Sequence, residues 1–225
     1  MDGTEAGLQP RGLGLLAVFC DLEARWHREF REWLLEEMFP ARLEAGFCCC
    51  ASYDLVPGEG EGLSSSAPPF LTLYETPALA DLYGEPYAAL RRNRSERGQA
   101  FHQRMMGMER YTLAAGCLPP AGGEGGLGPL VFVDRFDIRP ADMDSFNVWY
   151  EAEYAPWCAM APGFLRLRRY LAMEGAPRHF LLHEFGTEEF LGHKLWLALR
   201  HEEHWSPTAM THGSPALYRR VAQLP

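Results

Sequence analysis

The sequence has no run of 18 apolar residues, so it offers no segment long and apolar enough to cross a membrane as a helix. Its first residues, MDGTEAGLQPRG, lack the basic-then-apolar order of a secretion signal and read as a frayed polar tail over 1–12. Positive charge is short: the formal net charge of −9 repels phosphate backbones and argues against a general nucleic-acid role. The Gly-rich AGGEGGLG has no following Lys-Ser/Thr, so it is not a phosphate loop. There is no H-E-x-x-H pattern. The six cysteines, Cys20, Cys48, Cys49, Cys50, Cys117 and Cys158, make no obvious disulfide framework. The run Cys48-Cys49-Cys50 cannot converge on one ion, because neighbouring strand residues point to opposite faces. Reduced thiols in a cytoplasm are the plain expectation. What remains is an ordinary globular composition, 47% hydrophobic over 225 residues. That length suits one large domain or two small ones with a small-molecule or protein partner.

The chain repeats itself. WLLEEMFPARLEAGFCCCASY (33–53) echoes WYEAEYAPWCAMAPGFLRLRRY (149–170). Trp33 pairs with Trp149, Glu37 with Glu153 and Pro40 with Pro156 at an offset of 116. Gly46-Phe47 pairs with Gly163-Phe164, and Tyr53 with Tyr170, at 117. PPFLTLYE (68–75) matches PRHFLLHE (177–184) at 109. Such an echo is evidence of internal duplication, with a period that suits a small domain rather than a solenoid unit. GCLPPAGGEGGLGP lies between the copies and reads as a linker.

Each copy has the same order of elements. An apolar strand starts at Gly14 and again at Leu130. Amphipathic helices follow over about 23–44 and 141–160, the second with Asp142 or Asp144 placed to cap it. Strands are expected at 47–56 and 164–173, then at 70–76 and 179–185. A second helix begins near Pro77 and near Thr187, and the final strands are MERYTLAA and ALYRRVAQ. The order β-α-β-β-α-β is the ferredoxin-like unit. The expected fold is α+β: a tail over 1–12, one unit over 13–116, a linker over 117–128 and a second unit over 129–225. Each sheet has an apolar open face, which the other unit can cover.

The pattern W-x-x-x-E-x-x-P, then G-F, then a strand ending in Tyr resembles the dimeric α/β-barrel superfamily, most of all its EthD-like group of small bacterial proteins. The resemblance spans both copies, roughly 13–116 and 129–223. It implies an intramolecular barrel built from two fused ferredoxin-like units, with a ligand pocket between sheet and helices. The superfamily includes polyketide cyclases, cofactor-free monooxygenases, isomerases, aldoxime dehydratases and haem-binding chlorite dismutases. The EthD-like helix often carries a His after its Glu; here Met38 and Tyr154 stand there, so no His chemistry carries over from that motif. Glu37 and Glu153 do match.

Strand parity sorts the faces. The leucines 165, 167 and 171 mark a helix-packing face, which puts Arg166, Arg168 and Tyr170 on the open face. The same reasoning places His179 and His183 with them. In the first copy the counterparts are Cys49, Ala51, Tyr53, Phe70, Thr72 and Tyr74. Arginines in a partly dry cavity need carboxylate partners, such as Glu153, Asp134 or Asp137, or an anionic ligand. His183 is the candidate general acid/base, against the alternative of a structural histidine bonded to a neighbouring strand. Tyr170 and Arg166 complete the candidate catalytic set; Tyr170, Tyr53 and Tyr74 either donate to an oxyanion or simply pack. Arg168, His179, Tyr74, Tyr53 and Glu153 form the candidate substrate-binding set. His201 and His204, three apart, can share one helix face, and His193 lies further up the same helix, but a metal needs at least a third ligand and none is expected. Met105, Met106 and Met108 read as core and the start of a strand, and RRNRSER as a solvated helix end.

The leading expectation is a cofactor-independent enzyme acting on a small aromatic or polyketide-like compound by acid–base chemistry, in a pocket of the second half. The alternatives are a non-catalytic small-molecule-binding or stress-associated protein and a haem-dependent enzyme with His183 or His179 as axial ligand. A homodimer beyond the internal pair stays open.

Overall fold

The computed structural model describes residues 12–57, 67–116, 126–194, 209–211 and 215–225. The expected strands form, as β1 (Gly14–Asp21), β2 (Cys49–Leu55), β3 (Phe70–Thr76), β4 (Met106–Ala115), β5 (Leu130–Ile138), β6 (Phe164–Ala172) and β7 (His179–Phe185). A short β8 (Ala209–Thr211) precedes β9 (Ala216–Leu224). Eight of them close a ring of antiparallel pairs in the order β1-β3-β2-β9-β5-β7-β6-β4 and back to β1. β8 pairs with the end of β5, beyond β9. The order β4-β1-β3-β2 in the first half recurs as β9-β5-β7-β6 in the second. Two seams join the halves: β2 with β9, and β4 with β6. Closure removes the free sheet edges that would otherwise invite aggregation.

The long helices are each interrupted at the same place. In the first half α1 (His27–Trp33) passes through a π-helical turn at Leu34–Met38 into α2 (Phe39–Glu44). In the second, α5 (Met143–Trp149) passes through a π-turn at Tyr150–Tyr154 into α6 (Ala155–Ala159). Pro40 and Pro156 follow each π-turn by two residues. A proline has no N–H for the carbonyl four residues back, so the ladder is released where the wider turn forms. The second helical segment of the first half opens as a 3-10 turn at Leu79–Tyr83 and continues as α3 (Glu85–Arg92) and α4 (Glu96–Arg104). Its counterpart in the second half shows only a 3-10 turn at Glu188–Phe190 among the described residues. Two details differ from expectation. Asp142 does not cap α5 with its side chain but accepts from Arg139 Nε at 2.6 Å. Met106 and Met108 are exposed, where β4 pairs with β1 but not with β6, which meets it only at Leu113–Ala115.

Both sheet faces are buried, and this divides the apolar core in three. Inside the barrel lie Leu15, Ala17, Phe19, Ala51, Leu73, Val131, Phe180 and Leu182. Between sheet and helices the first half packs Leu16, Phe30, Trp33, Phe39 and Phe101, with Trp33 stacked on Phe101 at 5.0 Å. The second half packs Phe132, Phe136, Phe146, Tyr150 and Phe185 in the same way. Each such side chain contributes about 1.5–3 kcal/mol by leaving water.

The halves are also tied by a reciprocal pair of hydrogen bonds. Tyr53 donates to the Gly128 carbonyl at 2.9 Å, and Tyr170 to the Gly12 carbonyl at 3.1 Å. Each tyrosine thus reaches across to the segment leading into the other half's first strand. Tyr53→Phe and Tyr170→Phe each leave a carbonyl without its donor in the interior. Each is expected to lower unfolding free energy by about 1–3 kcal/mol in urea titrations. Losses below about 0.5 kcal/mol in both would contradict this role for the pair.

Candidate functional site

The barrel interior receives some of the expected residues and not others. Arg166, Arg168, Tyr170 and Tyr53 point inward, as strand parity suggested, and Arg169 points outward to Asn147 Oδ1 at 2.7 Å. His179, His183 and Tyr74 do not; their expected face is corrected. Register pairs Arg166 with Glu184, Arg168 with Leu182 and Tyr170 with Phe180, so the inward residues of β7 are Phe180, Leu182 and Glu184. Likewise Cys49 pairs with Glu75 and Ala51 with Leu73, so Glu75 points inward and Tyr74 lies under the helices. Glu153 is exposed on its π-turn.

The inward arginines are matched by protein carboxylates, though not those the sequence suggested. Arg168 Nε donates to Glu184 Oε1 at 2.5 Å, and its Nη1 donates to Glu75 Oε1. Arg166 Nε meets Glu184 Oε2 at 2.9 Å, and the Gly128 N–H meets the same oxygen at 2.6 Å. Glu75 and Glu184 are the two residues paired by the 109-residue offset. Burial works against both charges. Glu184 and Glu75 nevertheless hold the Arg168 guanidinium well above its ordinary value, and the two arginines hold Glu184 below its own. This is a structural ion network filling the barrel beside its apolar core.

His183 and His179 sit under α5 and α6. The His183 ring is fully buried, with Nε2 at 2.9 Å from Tyr154 Oη and Nδ1 at 3.3 Å from the Phe132 carbonyl. Asp134 lies 3.8 Å from Nδ1. His179 stacks on Phe136 at 5.3 Å, and burial, then Arg169, pushes its pKa down to about 4. Both ring nitrogens of His183 are engaged, so it does not fit as an axial haem ligand. His201 and His204 lie outside the described residues. Among the described residues no group of three or more His, Cys, Asp or Glu is arranged to hold a metal.

A cavity of about 480 Å³ opens in the first half, between the helix-facing side of its sheet and α1–α4. The volume falls in the range of small-molecule sites. Val18, Thr72 and Tyr74 form its floor, and Trp33, Leu34 and Met38 one wall. Tyr87, Leu90 and His102 line the opposite side, and Arg91, Arg94 and Arg110 are also in the lining. Local sequence builds this wall. The chain breaks at Asn93, and Ser95 caps α4 by accepting from Gly98 N at 3.0 Å. Gly98 lets this cap sit close: a Cβ would lie 3.2 Å from Ser95 Oγ, a tight contact with the capping oxygen. Glu37, the motif glutamate, accepts from Ser95 Oγ at 2.7 Å and pairs with Arg97 at 3.2 Å, fastening α4 to the first helix.

The polar groups of the cavity converge. Arg42 is only 7% exposed, its guanidinium carbon 3.9 Å from the Tyr74 ring centroid and 5.2 Å from that of Tyr87. Its Nε meets Met38 Sδ at 3.3 Å, and its Nη1 is buried without a hydrogen-bond partner. Tyr87 Oη accepts from Arg110 Nη2 at 3.2 Å. Burial pushes the Tyr87 phenol up, but Arg42 and Arg110 outweigh it and leave the pKa lowered. Burial, Arg94 and Arg42 push His102 down to about 4, so its ring is neutral near pH 7. The site therefore offers a phenol disposed to ionise, a neutral imidazole and a buried cation, beside aromatic surface. Sequence reasoning missed Arg42, Tyr87, His102 and Arg110. One signal was legible: Arg42 continues the apolar stripe of buried Leu34 and half-buried Met38 at four-residue spacing.

No family model and no curated protein matches the sequence. Solved structures do match. A chlorite dismutase variant from Candidatus Nitrospira defluvii superposes with a TM-score of 0.59, at 13% identity over 94% of this chain and 92% of its own. A haem-binding protein from Thermus thermophilus gives 0.54 at 15% identity over 94% and 92%. An anthrone oxidase-like protein gives 0.54 at 15% identity over 95% and 92%. The shared fold is the dimeric α/β barrel. At these identities the likeness establishes the fold alone.

Glu184→Gln leaves Arg166 without a carboxylate and Arg168 with Glu75 alone, and is expected to cost about 3–5 kcal/mol in chemical denaturation. A cost below about 1 kcal/mol would contradict the network's role. Both His102 and His179 have folded pKa values of about 4, below the unfolded value of about 6.5. The unfolded chain therefore binds more protons below that value, and stability is lost as pH falls from about 6.5 towards 4. His102→Gln should reduce that slope by up to one proton; an unchanged slope would show that the ring is not held neutral.

Proposed function

We propose that this chain is a cofactor-independent enzyme acting by acid–base chemistry on a small aromatic or polyketide-like compound, in the first-half cavity. The observation that carries the reading is Tyr87, buried in the cavity wall with its Oη beside Arg110 and its ring beside Arg42. As phenolate, Tyr87 takes a proton from a carbon next to a carbonyl and, as phenol, returns it. The positive field that favours the phenolate also favours the enolate formed. Trp33 and Phe30 give the flat substrate an apolar wall. The anthrone oxidase-like neighbour supports a ligand of this kind, since anthrone is a fused aromatic ketone. Arg166, Arg168, Tyr170 and Tyr53 serve the barrel's structure in this reading, and His183 is a structural histidine. The barrel itself is a tandem duplication of a ferredoxin-like unit, over 13–116 and 129–225 with the linker 117–128, related to the EthD-like group. The recurring strand order and the paired π-turns support this.

A second reading is haem binding in the same cavity, favoured by the haem-binding neighbour and by the neutral His102 ring in the cavity lining. His102 would hold the iron through a ring nitrogen, and Arg91 and Arg94 would meet the propionates. Haem would supply redox chemistry there.

Hydrogen–deuterium exchange into 2-tetralone, followed by NMR, tests the first reading. Wild type is expected to accelerate exchange and Tyr87→Phe to lose about 100-fold or more of that acceleration. Equal rates in both would sink Tyr87 as the proton carrier, and binding without exchange would favour a non-catalytic binding protein. A Soret shift on haemin titration that disappears in His102→Gln would put haem first.

A further inference from the structure

We propose that the first-half cavity selects a carboxylate: its ligand is a flat aromatic carboxylic acid whose anion is received by Arg42. The proposal rests on the preceding reading that this cavity is the site.

The case begins with a contrast between two buried arginines. Arg168, 7% exposed, is held by Glu75 and Glu184. Arg42 is equally buried, yet no described carboxylate lies within ion-pair distance of it. Its neighbours are the rings of Tyr74, Phe47 and Tyr87 and the sulfur of Met38. Aromatic faces stabilise the guanidinium from above its plane. Tyr87 also takes a side-chain hydrogen bond from the guanidinium, but Nη1 has no partner. A buried cation with an unmet donor is costly unless an anion arrives.

No described carboxylate supplies that anion, and Tyr87 does so only when its phenol ionises. Glu37 and Glu44 are the carboxylate residues in the cavity lining. Glu37 is taken by Arg97 and Ser95, and Glu44 is exposed. Against them stand Arg42, Arg91, Arg94 and Arg110, in a chain of net charge −9. The cavity is therefore a positive region in an acidic protein. A guanidinium presents paired, coplanar donors that match the two oxygens of a carboxylate better than a single carbonyl. The walls are aromatic: Trp33, Phe30 and Tyr74 all contribute. An aromatic ring joined directly to a carboxylate satisfies both parts.

The internal echo adds an independent point. At the 116 offset Arg42 corresponds to Cys158, and at 109 Tyr74 corresponds to His183. The second half places Tyr154 against His183 in this region and has no arginine at the equivalent position. The cation is particular to the half that holds the described cavity.

The test is calorimetric titration of the whole chain with 2-naphthoate and with 2-naphthamide, its uncharged counterpart. Wild type is expected to bind naphthoate at least about tenfold more tightly. Arg42→Met should bring the ratio to about twofold or less, and Arg42→Lys should keep part of it. Equal wild-type affinities, or a ratio unchanged in Arg42→Met, would overturn the proposal. Should Arg42→Met fail to fold, the wild-type ratio and Leu90→Trp, which fills the cavity from its other wall, decide the matter. Loss of naphthoate binding in Leu90→Trp supports the assignment when the wild-type preference is present. Equal binding of both probes that Leu90→Trp abolishes would leave the cavity as the site and reject carboxylate selection. Binding that survives Leu90→Trp, or no binding of either probe, would reject both.

Discussion

The ion pairs of Arg168 with Glu75 and Glu184 run through the interior of a closed barrel and link the two halves of the chain. A guanidinium withdrawn from water is tolerable only when its charge and its N–H groups are met. Here one carboxylate comes from β3 of the first half and one from β7 of the second. The same Glu184 also accepts from Arg166 and from the Gly128 backbone. The Arg168 charge is met by both carboxylates, though Glu75 Oε2 is buried without a hydrogen-bond partner, and with apolar side chains around them the barrel interior is packed as a core. The space for a ligand lies on the other side of the sheet, under the helices of the first half.

The two halves keep a common frame and have diverged in what fills it. The π-turns, the tyrosine–glycine bonds across the seams and the inward glutamates recur at equivalent positions. Arg168 faces inward where the first half has Ala51, so one arginine serves both glutamates. Beneath the helices the difference runs the other way: the first half places Arg42 against Tyr74, and the second places Tyr154 against a fully buried His183. Of the two halves, the first carries the buried arginine whose Nη1 has no partner.

The strand order along the chain was legible because turn residues, the echo and strand alternation agree, and the barrel was implied by the family resemblance. Face assignment succeeded for β2 and β6 and failed for β3 and β7. In "FLTLYE" and "HFLLHEF" both faces carry apolar residues, since one side meets the barrel core and the other the helices. Alternation then has no sign. Glu75 and Glu184 held the missing information. A glutamate repeated at the same strand position in both copies, opposite an arginine-bearing strand, fixes the inward face. The cavity was less legible, because it depends on how side chains from α1 to α4 leave space together. Arg42 on an apolar helix stripe was the one local trace of it.

A crystal structure of the protein grown with 2-naphthoate tests the central claim most directly. The account predicts the aromatic ring against Trp33 and the carboxylate at Arg42, with the Arg168–Glu75–Glu184 network unchanged. A ligand inside the barrel at Arg166 and Arg168, or beside His183 under α5 and α6, would contradict it.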